Sequence, residues 1–315
     1  MKKLFIKSAL YIILIIFTLE ILVRVFHLYN ETPTRYIDDF GVEKSLPNQN
    51  GYAVTGNRRQ NFSQYHINKF GFNSYREFRP TKEKVEIAII GDSFIEGMHQ
   101  DFYNSTGKKL EEKLDNVEVY EYGYAGYDLA NQLDLITKYK EDFELIDHIV
   151  IYLKYENDLK NSSYTPNTER IALLSSPIFK IRNEFKLLSY ASAIGVLDPI
   201  KDFVINIMKK KDAKKSLKEI EETKTSNDLL YLENFKKLVA TYGFDKQKVY
   251  FLLNTSKTSP IFLDYCKSNG FQIFDFAEAF EKSKKSPTLI YDKHWNNHGR
   301  ELIAEVIFNN LKDKL

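Results

Sequence analysis

Four short blocks carry residue types that can do chemistry together. Gly91-Asp92-Ser93 follows an apolar run, where a hydroxyl at a strand-to-helix turn can be a nucleophile and its own N–H can face an oxyanion. Gly123-Tyr124-Ala125-Gly126-Tyr127 offers glycines that let backbone approach a ligand closely. Tyr155-Glu156-Asn157-Asp158 offers an amide, a neutral donor for developing negative charge. Tyr291-Asp292-Lys293-His294-Trp295 offers an imidazole that can take a serine proton, and a carboxylate that can fix its tautomer. Singly, each block has a plainer reading: a turn, a turn, a helix cap and a surface loop. What sets them apart is where they fall relative to the elements around them.

Strand-like runs alternate with helical stretches. Val85–Ile90, Val117–Tyr120, Ile149–Leu153, Lys248–Leu253 and Phe271–Phe274 read as strands, and 106–115, 128–142, 228–242, 259–269 and 297–313 as helices. This alternation predicts an α/β fold with three α/β/α layers and a mainly parallel five-stranded sheet. In such sheets ligands bind beyond the carboxyl ends of the strands. The first three blocks follow the first three strands, and the fourth precedes the last helix.

In that order, the blocks resemble the SGNH (GDSL-type) hydrolases, over roughly 84–165 and 228–315. The resemblance implies a flavodoxin-like sheet order and a serine acyl-enzyme mechanism. It implies Ser93 as nucleophile, Asp292 and His294 as the rest of a triad, and Gly126 and Asn157 as oxyanion donors beside the Ser93 N–H. Gly123 is the alternative to Gly126. Ile67-Asn68-Lys69-Phe70-Gly71-Phe72 resembles a leader of membrane-anchored members. Two departures stand out. Tyr155 occupies a position that is usually glycine, which predicts a narrowed pocket. A single residue separates Asp292 from His294, a spacing similar to that of alginate-type O-acetyltransferases. His298 and His99 read as a helix-start residue and a rim residue rather than as the base. No metal site and no cofactor is expected.

The chain has 315 residues, with 45 Lys plus Arg against 43 Asp plus Glu, a formal net charge of +2. That balance gives no electrostatic reason to bind nucleic acid. The single cysteine, Cys266, excludes an intrachain disulfide and thiolate metal clusters. Three lysines precede an uncharged run from Ser8 to Leu19, with Glu20 and Arg24 following four residues apart. At about 1.5 Å per residue the segment nearly crosses a hydrocarbon core of about 30 Å, and the lysines predict a cytoplasmic N-terminus. No small-residue cleavage site follows it. The expected organisation is therefore an uncleaved transmembrane anchor at 1–27, an irregular segment at 28–83 packed on the main domain, and a catalytic domain at 84–315. A helical insertion at 166–228 carries a lysine-rich stretch at 209–218, read as a solvated face.

Together these features predict a membrane-anchored esterase or O-acyltransferase, its domain outside the cytoplasmic membrane. The expected substrate is an acylated cell-envelope glycan or related ester, with membrane lipid around 1–27 and a membrane-bound acyltransferase as candidate partner. The other expectation is a non-catalytic glycan-binding domain of the same fold. Tyr120, Tyr122, Tyr124 and Tyr127 divide between core packing and a sugar-stacking surface.

Overall fold

The computed structural model describes residues 1–55, 59–199 and 220–315. The first helix, Lys2–Val25, is exposed along most of its length, and its last turns meet the helix Lys186–Ala193. The lysine-rich stretch lies outside the described residues. Two antiparallel pairs follow the helix: β1 (Arg35–Ile37) with β2 (Glu43–Ser45), and β3 (Asn50–Thr55) with β4 (Asn61–His66). They are the short strands expected in the irregular segment.

The main sheet holds β5 (Val85–Gly91), β6 (Val117–Gly123), β7 (His148–Tyr152), β8 (Val249–Leu253) and β9 (Gln272–Asp275). Their order is β6-β5-β7-β8-β9, and every adjacent pair is parallel. Each of the five predicted strands is present. Their near-continuous apolar character follows from burial on both faces. Alternate residues feed two cores. Ala88, Ile90, Ile149, Ile151 and Phe251 pack beneath helices Leu129–Lys138, Ile220–Tyr242 and Pro260–Ser268. Ile87, Ile89, Val150 and Leu252 pack beneath Leu110, Ile303 and Ile307, the last two from the helix Asn297–Leu311. The four tyrosines of 120–127 are each 3% exposed or less. They are core residues, and a sugar-stacking surface there is excluded.

From β5 the chain passes first to one side, at β6, and then to the other, at β7. The crevice where the direction reverses is the usual ligand position in doubly wound sheets, and Ser93 lies at its mouth. A four-residue helix, Ser93–Glu96, begins directly after β5 and rests on the end of β6. Gly123 is the contact point. A Cβ at Gly123 would overlap backbone atoms of Ile95 and Glu96. Gly126 differs: it is exposed, its φ is +102°, and a Cβ there would meet only the end of the Arg170 side chain. Gly123→Ala should therefore cost at least about 3 kcal/mol through backbone overlap. Gly126→Ala should cost about 1–3 kcal/mol through its backbone angle. Urea midpoints of the detergent-solubilised chain check both, and equal midpoints would refute this assignment of the two glycines.

Candidate active site

Asp92 starts the short helix. Its carboxylate accepts the Phe94 N–H at 2.8 Å, and Ser93 occupies the first helical position. Burial pushes the Asp92 carboxyl up, opposed by that N–H and by Lys154. Asp158 accepts the Lys154 N–H at 2.7 Å, and burial, together with Asp92, pushes it well above the carboxylate range. Asp92 and Asp158 both line the cavity that holds Ser93.

His294 arrives from the other end of the chain. Its Nε2 lies 2.7 Å from Ser93 Oγ. Its Nδ1 meets Asp292 Oδ1, and the same oxygen accepts the His294 backbone N–H at 3.1 Å. That turn explains how a one-residue spacing suffices, because the carboxylate curls back over its own loop. Burial raises the Asp292 carboxyl, but the hydrogen bonds from the His294 ring and backbone outweigh it and hold Asp292 below its usual range. Asn296 secures the loop. It accepts the Gly299 N–H at 2.9 Å as cap of the last helix and donates to Ser286 O and Thr288 O. Trp295 is buried against Phe94, Tyr152 and Phe276, so it fixes the loop from below.

Ser93, Gly126, Asn157, Asp292 and His294 all line one cavity of about 400 Å³. All five residues singled out from sequence are therefore in one place. Lys160 Nζ donates to Asn157 Oδ1 at 3.4 Å, which leaves the amide N–H₂ as the donor end. Tyr155 departs from expectation. Its ring packs on Tyr231 and Phe262 and its hydroxyl donates to Asp228 at 3.0 Å, so it lines a neighbouring cavity and does not narrow the one at Ser93. His298 faces Ser283 Oγ at 2.7 Å, away from Ser93.

Sequence reading missed several contributors. His99, expected on the rim, stacks on the His294 ring at 4.2 Å between centroids and donates from Nε2 to Asp292 Oδ2 at 3.0 Å. Both Asp292 oxygens are thus engaged. Among the described residues, His99, Asp292 and His294 are also the group spaced closely enough to hold a metal ion, but their facing atoms are bonded to one another and to Ser93. Arg35 and Glu96 form a buried ion pair at 3.3 Å. Arg35 and Arg170 both donate to Ala125 O, at 3.0 and 2.7 Å, bracing the turn that presents Gly126. Asn73 donates to Glu96 O at 2.7 Å, and Asn68 accepts the N–H groups of Phe70, Gly71 and Phe72. The leader segment, through Asn73 directly after it, therefore braces the helix Ser93–Glu96. Only the leader carried a sequence signal; nothing local marks Arg35, Glu96 or His99.

No protein-family model and no curated protein sequence matches the chain. Solved structures do. A member of the lipolytic protein G-D-S-L family from Veillonella parvula is 15% identical, covering 73% of this chain and 100% of its own, with a TM-score of 0.38. A lipase/acylhydrolase from Enterococcus faecalis is 12% identical, covering 73% and 97%, with a TM-score of 0.41. A GDSL-like lipase from Bacteroides thetaiotaomicron is 11% identical, covering 75% and 92%, with a TM-score of 0.39.

His99 yields a pH prediction. Burial pushes its imidazole down to about 4, with His294 adding to the effect and Asp292 opposing it. An unfolded histidine titrates near ~6.5, so between these values the unfolded chain binds the extra proton. The stability from neutral His99 is complete above the unfolded value and is lost as pH falls toward 4. Between pH 7 and pH 5 the wild type should lose more melting temperature than His99→Gln, which keeps a donor but does not titrate. Parallel losses in the two proteins would mean that the His99 ring is not held neutral.

Proposed function

We propose that this chain is an ester hydrolase or O-acyltransferase working through an acyl-enzyme on Ser93. The observation that carries this reading is the linked set Ser93 Oγ, His294 Nε2 and Asp292 Oδ1, with Asn157 and Gly126 on the same cavity. Ser93 Oγ attacks the ester carbonyl carbon while His294 Nε2 takes its proton. Asp292 stabilises the imidazolium that results. The oxyanion accepts from the N–H groups of Ser93 and Gly126 and from the Asn157 amide. His294 then protonates the departing alcohol oxygen as the carbon–oxygen bond breaks, leaving Ser93 acylated. Water, or a second alcohol, attacks the acyl carbon and gives its proton to His294; the acyl carbon–Oγ bond then breaks and His294 returns the proton to Ser93 Oγ, releasing the acid or new ester. Hydrolase and transferase differ only in that last nucleophile.

The proposed substrate is an acylated, most simply acetylated, glycan of the cell envelope. Support comes from the surroundings of the cavity. It shares Asn157 and Lys160 with a neighbouring cavity of about 780 Å³ walled by Asp228, Tyr231, Thr255 and Ser256. It shares Gly126, Asp128, Lys160 and Asn161 with another of about 380 Å³ walled by Ser162, Ser163 and Asn167. Hydroxyl, amide and charged groups along such a trough suit a polyhydroxylated chain better than a fatty one. The helix Lys2–Val25 is long and apolar enough to cross a membrane, and lysines at its start favour a domain on the outer side of the cytoplasmic membrane. In a transferase, a membrane-bound acyl donor would serve as partner.

Ser93→Ala should abolish labelling by a fluorophosphonate probe and release of acetate from 4-nitrophenyl acetate and acetylated xylan. His294→Ala should abolish turnover on both. Asn157→Ala should lower kcat by about 10²–10³ while the probe still reaches Ser93. Undiminished labelling of Ser93→Ala would overturn the mechanism. With a sugar acceptor present, acetate as the sole product would assign the hydrolase, and acetylated sugar the transferase.

A further inference from the structure

The insertion is tied to the end of the apolar helix by charged groups. Glu20 accepts the backbone N–H groups of Lys186 and Leu187 at 3.0 and 2.7 Å. Arg24 donates to Glu20 at 2.7 Å and to Glu184 O at 2.6 Å. The chain reversal between helices Pro177–Glu184 and Lys186–Ala193 is thereby pinned at one height on the helix Lys2–Val25.

That height is informative. Residues 4–19 span about 24 Å at ~1.5 Å per residue, most of a hydrocarbon layer of about 30 Å, with Lys2 and Lys3 at the inner headgroups and the long Lys7 side chain able to reach back to them. Glu20, the next residue, sits where lipid chains give way to headgroups, and so does whatever it binds. Around this pinned turn the insertion leaves large apolar side chains uncovered: Phe185 is 57% exposed, Leu188 41% and Ile181 53%, with Val196 at 61% further along the chain. Lys180, Arg182 and Lys186 alternate with them. Phe26, at the end of the first helix, is also exposed. An apolar edge with basic neighbours, at the depth of the headgroups, fits the boundary between headgroups and acyl chains.

From this we infer that residues 177–199 form an arm seated in the lipid surface, with Ile181, Phe185, Leu188 and Val196 entering the headgroup–acyl boundary. The inference rests on the reading of Lys2–Val25 as a membrane span. The arm reaches the active site through the helix Thr168–Leu174, whose Arg170 holds Ala125 O beside Gly126. An arm fixed on the membrane thus holds the Ser93 cavity at a set height above it, suited to substrate presented close to the lipid.

The test is spin-label accessibility of the full chain in nanodiscs of phosphatidylcholine and phosphatidylglycerol. Cysteines replace Phe185 and Leu188 in the arm, Ile13 in the span, and Tyr291 as an exposed control. The native Cys266 is fully buried and its thiol is pushed up to about 12 by burial, so it does not compete for label. Labels at 13, 185 and 188 should favour oxygen over a nickel chelate, and the label at 291 the reverse. Glu20→Gln with Arg24→Met should raise nickel access at 185 severalfold while 13 stays protected. Nickel access at 185 and 188 equal to that at 291, with 13 protected, overturns the arm and leaves the span standing. Nickel access at 13 overturns both. Strong dipolar broadening between labels at 185 assigns the face to a second copy of the chain and also overturns the lipid arm.

Discussion

The buried Glu96 carboxylate is the constraint on which the site depends. Glu96 ends the helix that begins with Ser93. It pairs with Arg35 from β1, its backbone carbonyl accepts from Asn73 just after the leader segment, and Gly123 at the end of β6 packs under its backbone. Burial pushes its carboxyl up, while Arg35 and the Ala125 N–H pull it back down. Such a pair contributes little net stability against apolar residues of the same shape, but breaking one side leaves an uncompensated buried charge. Its use here is positional. Three segments distant in sequence converge on four residues, so the Ser93 hydroxyl and the Gly126 turn are set relative to one another before any ligand arrives.

His294 is held by different means. A stack of rings runs from Phe94 through His294 to His99, with Trp295 beneath. Stacking fixes the plane of the imidazole, and Asp292 fixes its tautomer. His99, kept neutral by burial, adds a donor to Asp292 without adding a second positive charge beside His294. A loop 201 residues away from Ser93 in sequence can thus present Nε2 at hydrogen-bond distance.

The insertion links these parts to the helix Lys2–Val25. Its first helix carries Arg170 to the Gly126 turn, and the reversal after its second helix is captured by Glu20 and Arg24. The two charges that interrupt the apolar N-terminus are thereby satisfied within the chain itself.

Much of this was legible in the residues alone. Apolar runs bounded by Gly91 and Gly123 marked the strands, because residues buried on both faces of a parallel sheet have no polar alternation to obscure them. Ser93, Gly126, Asn157, Asp292 and His294 were legible because each follows a strand or precedes a helix, and those ends meet at one edge of the sheet. The direction of Tyr155 was not legible, since its packing on Tyr231 and Phe262 depends on two helices more than seventy residues away. Nor were the ion pair of Arg35 with Glu96, the grip of Arg170 on Ala125 or the stacking of His99 on His294. Local sequence determines which backbone conformation and which chemistry a segment offers. Which buried charge finds which partner is decided only when distant segments share one low-dielectric volume, because there an unpaired charge costs too much to leave unmet.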